Sequence, residues 1–148
     1  MRLKITNHDY HNLPEHRALS STGLRKLSVS PKHYMTWLSA PKEPPTKEMV
    51  YGSACHTLIL EPDRWATDVI VKKTVSKGAR DEAAVDGKYL IEAGDADAIQ
   101  ITRDNLMKKK IAQALFNGAT FEESFFWDDI HDIRCKIRPD LLHEGYGV

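Results

Sequence analysis

Apolar residues recur at helical spacing in the first part of the chain and alternate with polar residues in the last part. Ser20-Ser21-Thr22 offers hydroxyl caps for a first helix, and Pro31 suits the first turn of a second. Thr46 marks the start of a third helix, which ends before Pro62. The expected helices cover about residues 20–29, 32–38 and 46–60.

The middle of the chain is less regular. Val69 to Val71 is short and β-branched, which predicts a strand. Residues 72–88 are polar and contain two glycines, so we expect an exposed loop there. A helical region from Asp95 or Asp104 to Phe116 is expected to follow.

The last third predicts a β-hairpin. Alternation places Lys136, Arg138 and Asp140 on one face of its second strand. Pro139 interrupts the ladder, so we expect a bulge or a sheet edge there, and bulges often lie beside active sites. The two strands cover residues 121–127 and 133–142.

Length and composition predict one globular domain that does not enter a membrane. The 148 residues are enough for a single core, and no apolar run is long enough to span a bilayer. No apolar stretch follows Arg2 and Lys4, so we expect no secretory signal. Cys55 and Cys135 lack metal-type spacing and favour a reducing, cytoplasmic setting.

Charge is unevenly distributed, although the net charge is zero. Residues 1–80 carry 13 Lys and Arg against 7 Asp and Glu, and residues 81–148 carry 8 against 14. This asymmetry fits a protein that binds phosphate with one part and metal with another. On charge alone, a domain whose two faces simply balance is the stronger interpretation.

Several groups of residues form an ordered set along the chain. They are Tyr10-His11-Asn12-Leu13-Pro14, the helix at Leu24, Ser30-Pro31-Lys32-His33-Tyr34, Gly52-Ser53-Ala54-Cys55-His56-Thr57-Leu58-Ile59-Leu60-Glu61-Pro62, Glu122-Glu123-Ser124-Phe125-Phe126-Trp127 and Cys135-Lys136-Ile137-Arg138-Pro139-Asp140. Together they span nearly the whole chain, and they resemble the RecE-type exonucleases (exodeoxyribonuclease VIII) of the PD-(D/E)XK nuclease superfamily.

The resemblance implies an α/β fold of the restriction-endonuclease-like kind, with a mixed β-sheet flanked by helices, in one domain over residues 1–148. The implied activity is digestion of double-stranded DNA from an end, in the 5′ to 3′ direction, with Mg²⁺, in phage- or prophage-type recombination. The implied partners are DNA ends, further copies of the chain and a single-strand annealing protein.

The resemblance also implies roles for individual residues. His56 and Asp140 become metal ligands and, with the strand glutamate Glu122, form the catalytic set; Glu123 is the alternative to Glu122. Phosphodiester hydrolysis builds negative charge on an anionic centre, and a hard divalent cation between carboxylates and phosphate offsets it. Because histidine is an unusual ligand for Mg²⁺, such a site is expected to accept Mn²⁺ as well.

Lys136 and Arg138 become DNA-binding residues near the backbone or the scissile phosphate. Each assigned residue also has a plainer interpretation. His56 can be a satisfied core residue, Asp140 a turn residue, and Glu122 a solvent-facing strand residue. The two cations can be a solvated strand face.

The family's next strand carries Asp or Glu, one residue and then Lys, and this element has no counterpart before the sequence ends at Val148. We therefore expect a C-terminally truncated domain that is inactive alone. We also expect an unprotected edge along residues 133–142, which promotes association. The alternative is a catalytically dead remnant that only binds DNA or associates with nuclease subunits. An unrelated α/β domain, indifferent to His56→Ala or Asp140→Ala, is the third hypothesis.

Overall fold

The computed structural model describes residues 1–12, 14, 17–41 and 43–146. Leu13 of the opening motif and the final Gly147-Val148 lie outside the described residues. The helices of the described residues are α1 (Asn7–Asn12), α2 (Ser21–Val29), α3 (Pro31–Ser39), α4 (Lys47–Leu60), α5 (Trp65–Asp68), α6 (Lys77–Val85), α7 (Ala93–Met107) and α8 (Lys110–Phe116). The strands are β1 (Arg2–Leu3), β2 (Val69–Lys72), β3 (Tyr89–Glu92), β4 (Thr120–Phe121), β5 (Ser124–Asp128), β6 (Arg134–Ile137) and β7 (Leu141–Leu142).

The chain divides into two compact units, each built from segments that are distant in sequence. The first unit contains Met1–Lys42 and Glu122–Asp140, and the second contains Glu43–Phe121 and Leu141–Val148. Both units combine helices with short β-sheets, which confirms the predicted α/β class. Among the helices described, none combines the length and the apolar character that crossing a bilayer requires.

The first unit has an antiparallel three-stranded sheet in the order β1-β5-β6. The far edge of β6 is not open along its whole length. The Leu19 N–H donates to the Arg134 carbonyl at 2.8 Å, and the Leu19 carbonyl accepts from the Lys136 N–H at 3.0 Å. The expected unprotected edge is therefore wrong for these residues, because a neighbouring loop covers it.

Helices α2 and α3 form as the sequence predicts. Ser20 and Ser30 cap their N-termini: the side-chain oxygens accept from the N–H groups of Gly23 at 3.2 Å and His33 at 3.0 Å. Gly23 is buried where the two helices meet, and a Cβ atom there would lie 3.3 Å from Cε2 of Tyr34. The close approach of α2 and α3 therefore favours glycine at this position.

The second unit is organised around α4. Apolar residues spaced by four place one face of this helix against a parallel pair of strands, β2 and β3, and against α7. The helix starts where predicted, with Thr46 accepting from the Met49 N–H at 3.3 Å. The buried core of this unit consists of Val50, Ala54, Leu58, Val69, Ile91 and Ile99.

The predicted exposed loop over residues 72–88 is wrong, because helix α6 lies within it and connects β2 to β3. Ser76 caps this helix by accepting from the Ala79 N–H at 3.2 Å. At its end, Gly87 adopts a φ of +68°, and the Lys88 N–H donates to the Ala83 carbonyl at 2.9 Å. A left-handed glycine and this backbone bond are typical of a helix C-terminus. The polar composition concealed an alanine-containing helix with both ends capped.

The helical region predicted up to Phe116 is present but divided. Helix α7 ends at Met107, and α8 begins at Lys110. The Gln113 side chain spans the break by donating to the Met107 carbonyl at 2.7 Å. The sequence pattern did not reveal this break, because periodicity alone cannot detect a turn of two residues.

The predicted hairpin is present with shorter strands. β5 and β6 pair antiparallel, from Phe125 opposite Ile137 to Asp128 opposite Arg134. Its turn is ordered by Asp129, whose Oδ1 accepts from two backbone N–H groups at 2.8 and 2.9 Å. The outer residues of the predicted strands form a separate pair, β4 with β7, in the second unit.

Ile99 tests the core of the second unit. Its side chain is 0% exposed, whereas Ile101 on the same helix is 61% exposed. We expect Ile99→Ala to lower the free energy of unfolding by about 2–5 kcal/mol, because the buried cavity remains partly unfilled. Ile101→Ala is the matched control and should change it by less than about 1 kcal/mol. Urea denaturation followed by circular dichroism measures both, and equal losses would contradict this packing.

Candidate metal centre

Glu122 occupies a backbone conformation that is uncommon for a residue with a side chain. Its φ is +53°, in the left-handed region, which costs about 1–3 kcal/mol and persists only where surrounding contacts hold it. The Glu122 N–H donates to the Asp140 carbonyl at 3.3 Å. Its carboxylate accepts from Arg138, so both backbone and side chain are held.

Arg138 lies inside the first unit with a side chain 6% exposed. Its Nε donates to Oε2 of Glu122 at 2.6 Å. Its Nη1 donates to the Ile5 carbonyl at 2.7 Å and to Oγ of Ser124 at 3.1 Å. The guanidinium carbon also lies 6.0 Å from the centre of the Tyr10 ring. This buried charge therefore has a charged partner and two neutral acceptors.

Lys136 is buried on β6, two residues before Arg138, and also contacts the N-terminal segment. Its Nζ donates to the Tyr10 carbonyl at 2.6 Å and lies 4.2 Å from the centre of that ring. Burial raises the pKa of the Tyr10 hydroxyl, and the nearby positive charge of Arg138 opposes this shift. The interpretation of both cations as a solvated strand face is wrong. Contact with DNA stays a prediction that their burial does not favour.

Asp140 follows Pro139 beyond the end of β6, and its side chain is exposed. One carboxylate oxygen of Asp140 and one of Glu122 lie within 4.8 Å of each other. The Arg138 guanidinium contributes one positive charge beside the two negative charges of the Glu122 and Asp140 carboxylates. The excess of negative charge favours a cation.

Glu123, the alternative strand glutamate, has a different partner. Its carboxylate forms an ion pair with Arg2 on the neighbouring strand β1. The Glu123 carboxylate is thus directed to Arg2, whereas the Glu122 carboxylate is directed to Arg138 and lies within 4.8 Å of an Asp140 oxygen. In the first unit, Glu122 is therefore the glutamate near Asp140.

The Glu122 and Asp140 carboxylates fit a divalent cation of the magnesium or manganese type. Such cations prefer oxygen ligands, and two oxygens bound at about 2.1 Å lie at most about 4.2 Å apart. A small rotation of either side chain brings the observed separation of up to 4.8 Å into that range. Arg138 forms its ion pair with Oε2 of Glu122 and so orients both oxygens of that carboxylate.

His56 belongs to the second unit. It is exposed on α4, while Ala54 and Leu58 on either side of it are buried. Two residues before or after a buried position lie on the opposite side of a helix. The interpretation of His56 as a satisfied core residue is wrong, and its role as a metal ligand stays a prediction from the resemblance.

Comparison with protein families provides an independent finding. Residues 20–148 match the family described as PDDEXK-like domain of unknown function (DUF3799). The chain belongs to this family. Membership of the PD-(D/E)XK superfamily, expected from the motifs, is confirmed, and the chain is a nuclease-type domain. No curated protein sequence matches it.

Two parts of this PDDEXK-like site were not assigned from the sequence. Ser124 is 0% exposed and accepts from Arg138. Its position two residues after Glu122 was the available signal, because alternate residues of a strand share a face. The Ile5 carbonyl gave no signal, since every residue has a backbone acceptor.

Lys136 tests whether the buried cations have a structural role in the domain. We expect Lys136→Met to lower the free energy of unfolding by about 1.5–3 kcal/mol, because the Tyr10 carbonyl loses a charged donor. Lys108→Met, at an exposed lysine, is the matched control and should have an effect below about 0.5 kcal/mol. Urea denaturation followed by tryptophan fluorescence measures the difference. Equal stability of the two variants would exclude the structural role.

Proposed function

We propose that this PDDEXK-like domain acts as a metal-dependent exodeoxyribonuclease, which digests double-stranded DNA from its ends in the 5′ to 3′ direction. The observation that supports the proposal is the pair of carboxylates on Glu122 and Asp140. The resemblance to RecE-type exonucleases equates Pro139-Asp140 with the Pro-Asp step that gives the superfamily its name. A nuclease-type domain with two carboxylates there offers anionic oxygen ligands to the kind of cation that assists phosphodiester hydrolysis.

Each residue has a defined task in this proposal. Glu122 and Asp140 hold Mg²⁺ or Mn²⁺, and Arg138 keeps the Glu122 carboxylate in place. When bound, such a cation offsets the charge that develops on the phosphate and lowers the pKa of a bound water. His56 supplies a nitrogen ligand, as the resemblance implies, and makes Mn²⁺ a good substitute for Mg²⁺.

The partners follow from the same resemblance. They are double-stranded DNA ends, further copies of the chain and a single-strand annealing protein, in recombination of the phage or prophage type. The two free cysteines favour the reducing cytoplasm as the place of action. Residues other than Lys136 and Arg138 form the DNA-binding surface in this proposal, because both of these side chains are buried.

The test is digestion of linear duplex DNA labelled at the 5′ or the 3′ end, with the full-length product of the gene. We expect early release of the 5′ label with Mg²⁺ or Mn²⁺, no release with EDTA, and no cutting of a covalently closed circle. Asp140→Asn should lower the rate at least about a hundredfold, because one anionic ligand is lost. His56→Ala should lower it as well, and more with Mn²⁺ than with Mg²⁺, because the nitrogen ligand favours Mn²⁺.

Asp97→Asn is the matched control, since Asp97 is an exposed aspartate on α7. It should digest DNA at the unchanged rate. If the closed circle is cut as fast as the linear DNA, the domain is an endonuclease and the proposed exonuclease activity is wrong. Retained DNA binding in a gel-shift assay without any cutting would favour the catalytically dead remnant.

A further inference from the structure

Arg138 is fixed by three acceptors that come from two separate parts of the first unit. Glu122 and Ser124 precede and begin β5, and Ile5 belongs to the segment before α1. The guanidinium is planar, so bonds from both Nε and Nη1 set its orientation as well as its position. With a side chain 6% exposed, Arg138 presents little surface to a macromolecule in solvent.

Glu122 is a residue that needs such support. Its left-handed φ of +53° is uncommon for any residue other than glycine. A glutamate at a surface turn has many rotamers, whereas the bond from Nε of Arg138 to Oε2 at 2.6 Å selects one of them. In that rotamer a Glu122 oxygen lies within 4.8 Å of an Asp140 oxygen.

We infer that Arg138 is the positioning residue of the metal centre: it holds the Glu122 carboxylate toward Asp140. This inference rests on the proposed function for the presence of a cation. Groups that hold a metal ligand in place commonly change metal affinity by about 10–100-fold when they are replaced. Arg138 thus acts through Glu122 and not as a contact to DNA.

The charge of Arg138 opposes this effect and must be separated from it. A guanidinium close to a ligand repels a cation, so its removal changes both charge and geometry. Arg138→Lys keeps the positive charge but loses the planar fork that reaches three acceptors at once. A loss of metal affinity in this variant therefore reports positioning.

The experiment is a titration of Mn²⁺ into residues 1–148, with free Mn²⁺ followed by electron paramagnetic resonance. Four proteins form a cycle: the unchanged chain, Glu122→Gln, Arg138→Lys and the double variant. We expect Arg138→Lys to weaken Mn²⁺ binding about tenfold or more, and to cause no further loss once Glu122 is glutamine. Arg134→Lys is the matched control, because the ion pair of Arg134 with Asp128 on the same hairpin is exposed. Its affinity should stay unchanged.

Ser124→Ala provides a second variant that leaves the ion pair intact. It removes one acceptor of Arg138, so we expect a severalfold loss of Mn²⁺ affinity that again disappears in the Glu122→Gln background. This variant keeps the inference testable if Arg138→Lys does not fold.

The outcomes separate the inference from the proposed function. If the unchanged chain binds Mn²⁺ no better than Glu122→Gln does, the metal centre itself is wrong and the inference is overturned with it. If Glu122→Gln weakens binding while Arg138→Lys does not, the metal centre stands and the inference alone fails. Equal losses from Arg138→Lys in both backgrounds would show a purely structural role and would also overturn it.

Discussion

The buried guanidinium of Arg138 is the constraint on which the first unit depends. A buried charge is tolerated only where a counter-charge and further acceptors surround it, and removal of one partner of such a pair costs about 3–5 kcal/mol. Arg138 finds these groups on Glu122 and Ser124, which are two residues apart, and on Ile5, which is distant in sequence. Arg138, at the end of β6, therefore connects the N-terminal segment to the start of β5.

Arg138 also contacts the candidate metal centre, through the Glu122 carboxylate. The Glu122 N–H, on a strained stretch of backbone, donates to the main-chain carbonyl of Asp140 at 3.3 Å. Lys136 on β6, two residues before Arg138, adds a second buried hydrogen bond, to the Tyr10 carbonyl. The cations that the sequence assigned to DNA thus hold the protein's own backbone, while the acidic groups remain near the surface. This arrangement fits a nuclease-type domain in which a buried arginine orients a candidate ligand before a metal ion binds.

Local signals in the sequence predicted the elements that local interactions determine. Hydroxyl caps at Ser20 and Thr46 located α2 and α4, and alternation located the hairpin of β5 and β6. Helix α6 was missed because its polar residues and glycines are also typical of loops, and the cap hydrogen bond of Ser76 and the left-handed Gly87 distinguish it.

The candidate site was predicted in its residue types but not in its contacts. Motifs identified Glu122 and Asp140, and the family match confirms the superfamily to which those motifs belong. The left-handed conformation of Glu122 and the burial of Arg138 could not be predicted, because both depend on tertiary partners such as the Ile5 carbonyl. Charged residues on a strand resemble a solvated face until the segment that covers them is known.

We propose that Glu122 and Asp140 together bind one divalent cation while Arg138 stays bonded to Glu122. Crystals of the protein grown or soaked with Mn²⁺, with diffraction collected at an energy where manganese scatters anomalously, test it directly. We expect an anomalous peak within about 2.0–2.4 Å of an oxygen of each carboxylate, with the Arg138 ion pair retained. A manganese peak bound elsewhere, with none at these two carboxylates, would contradict it.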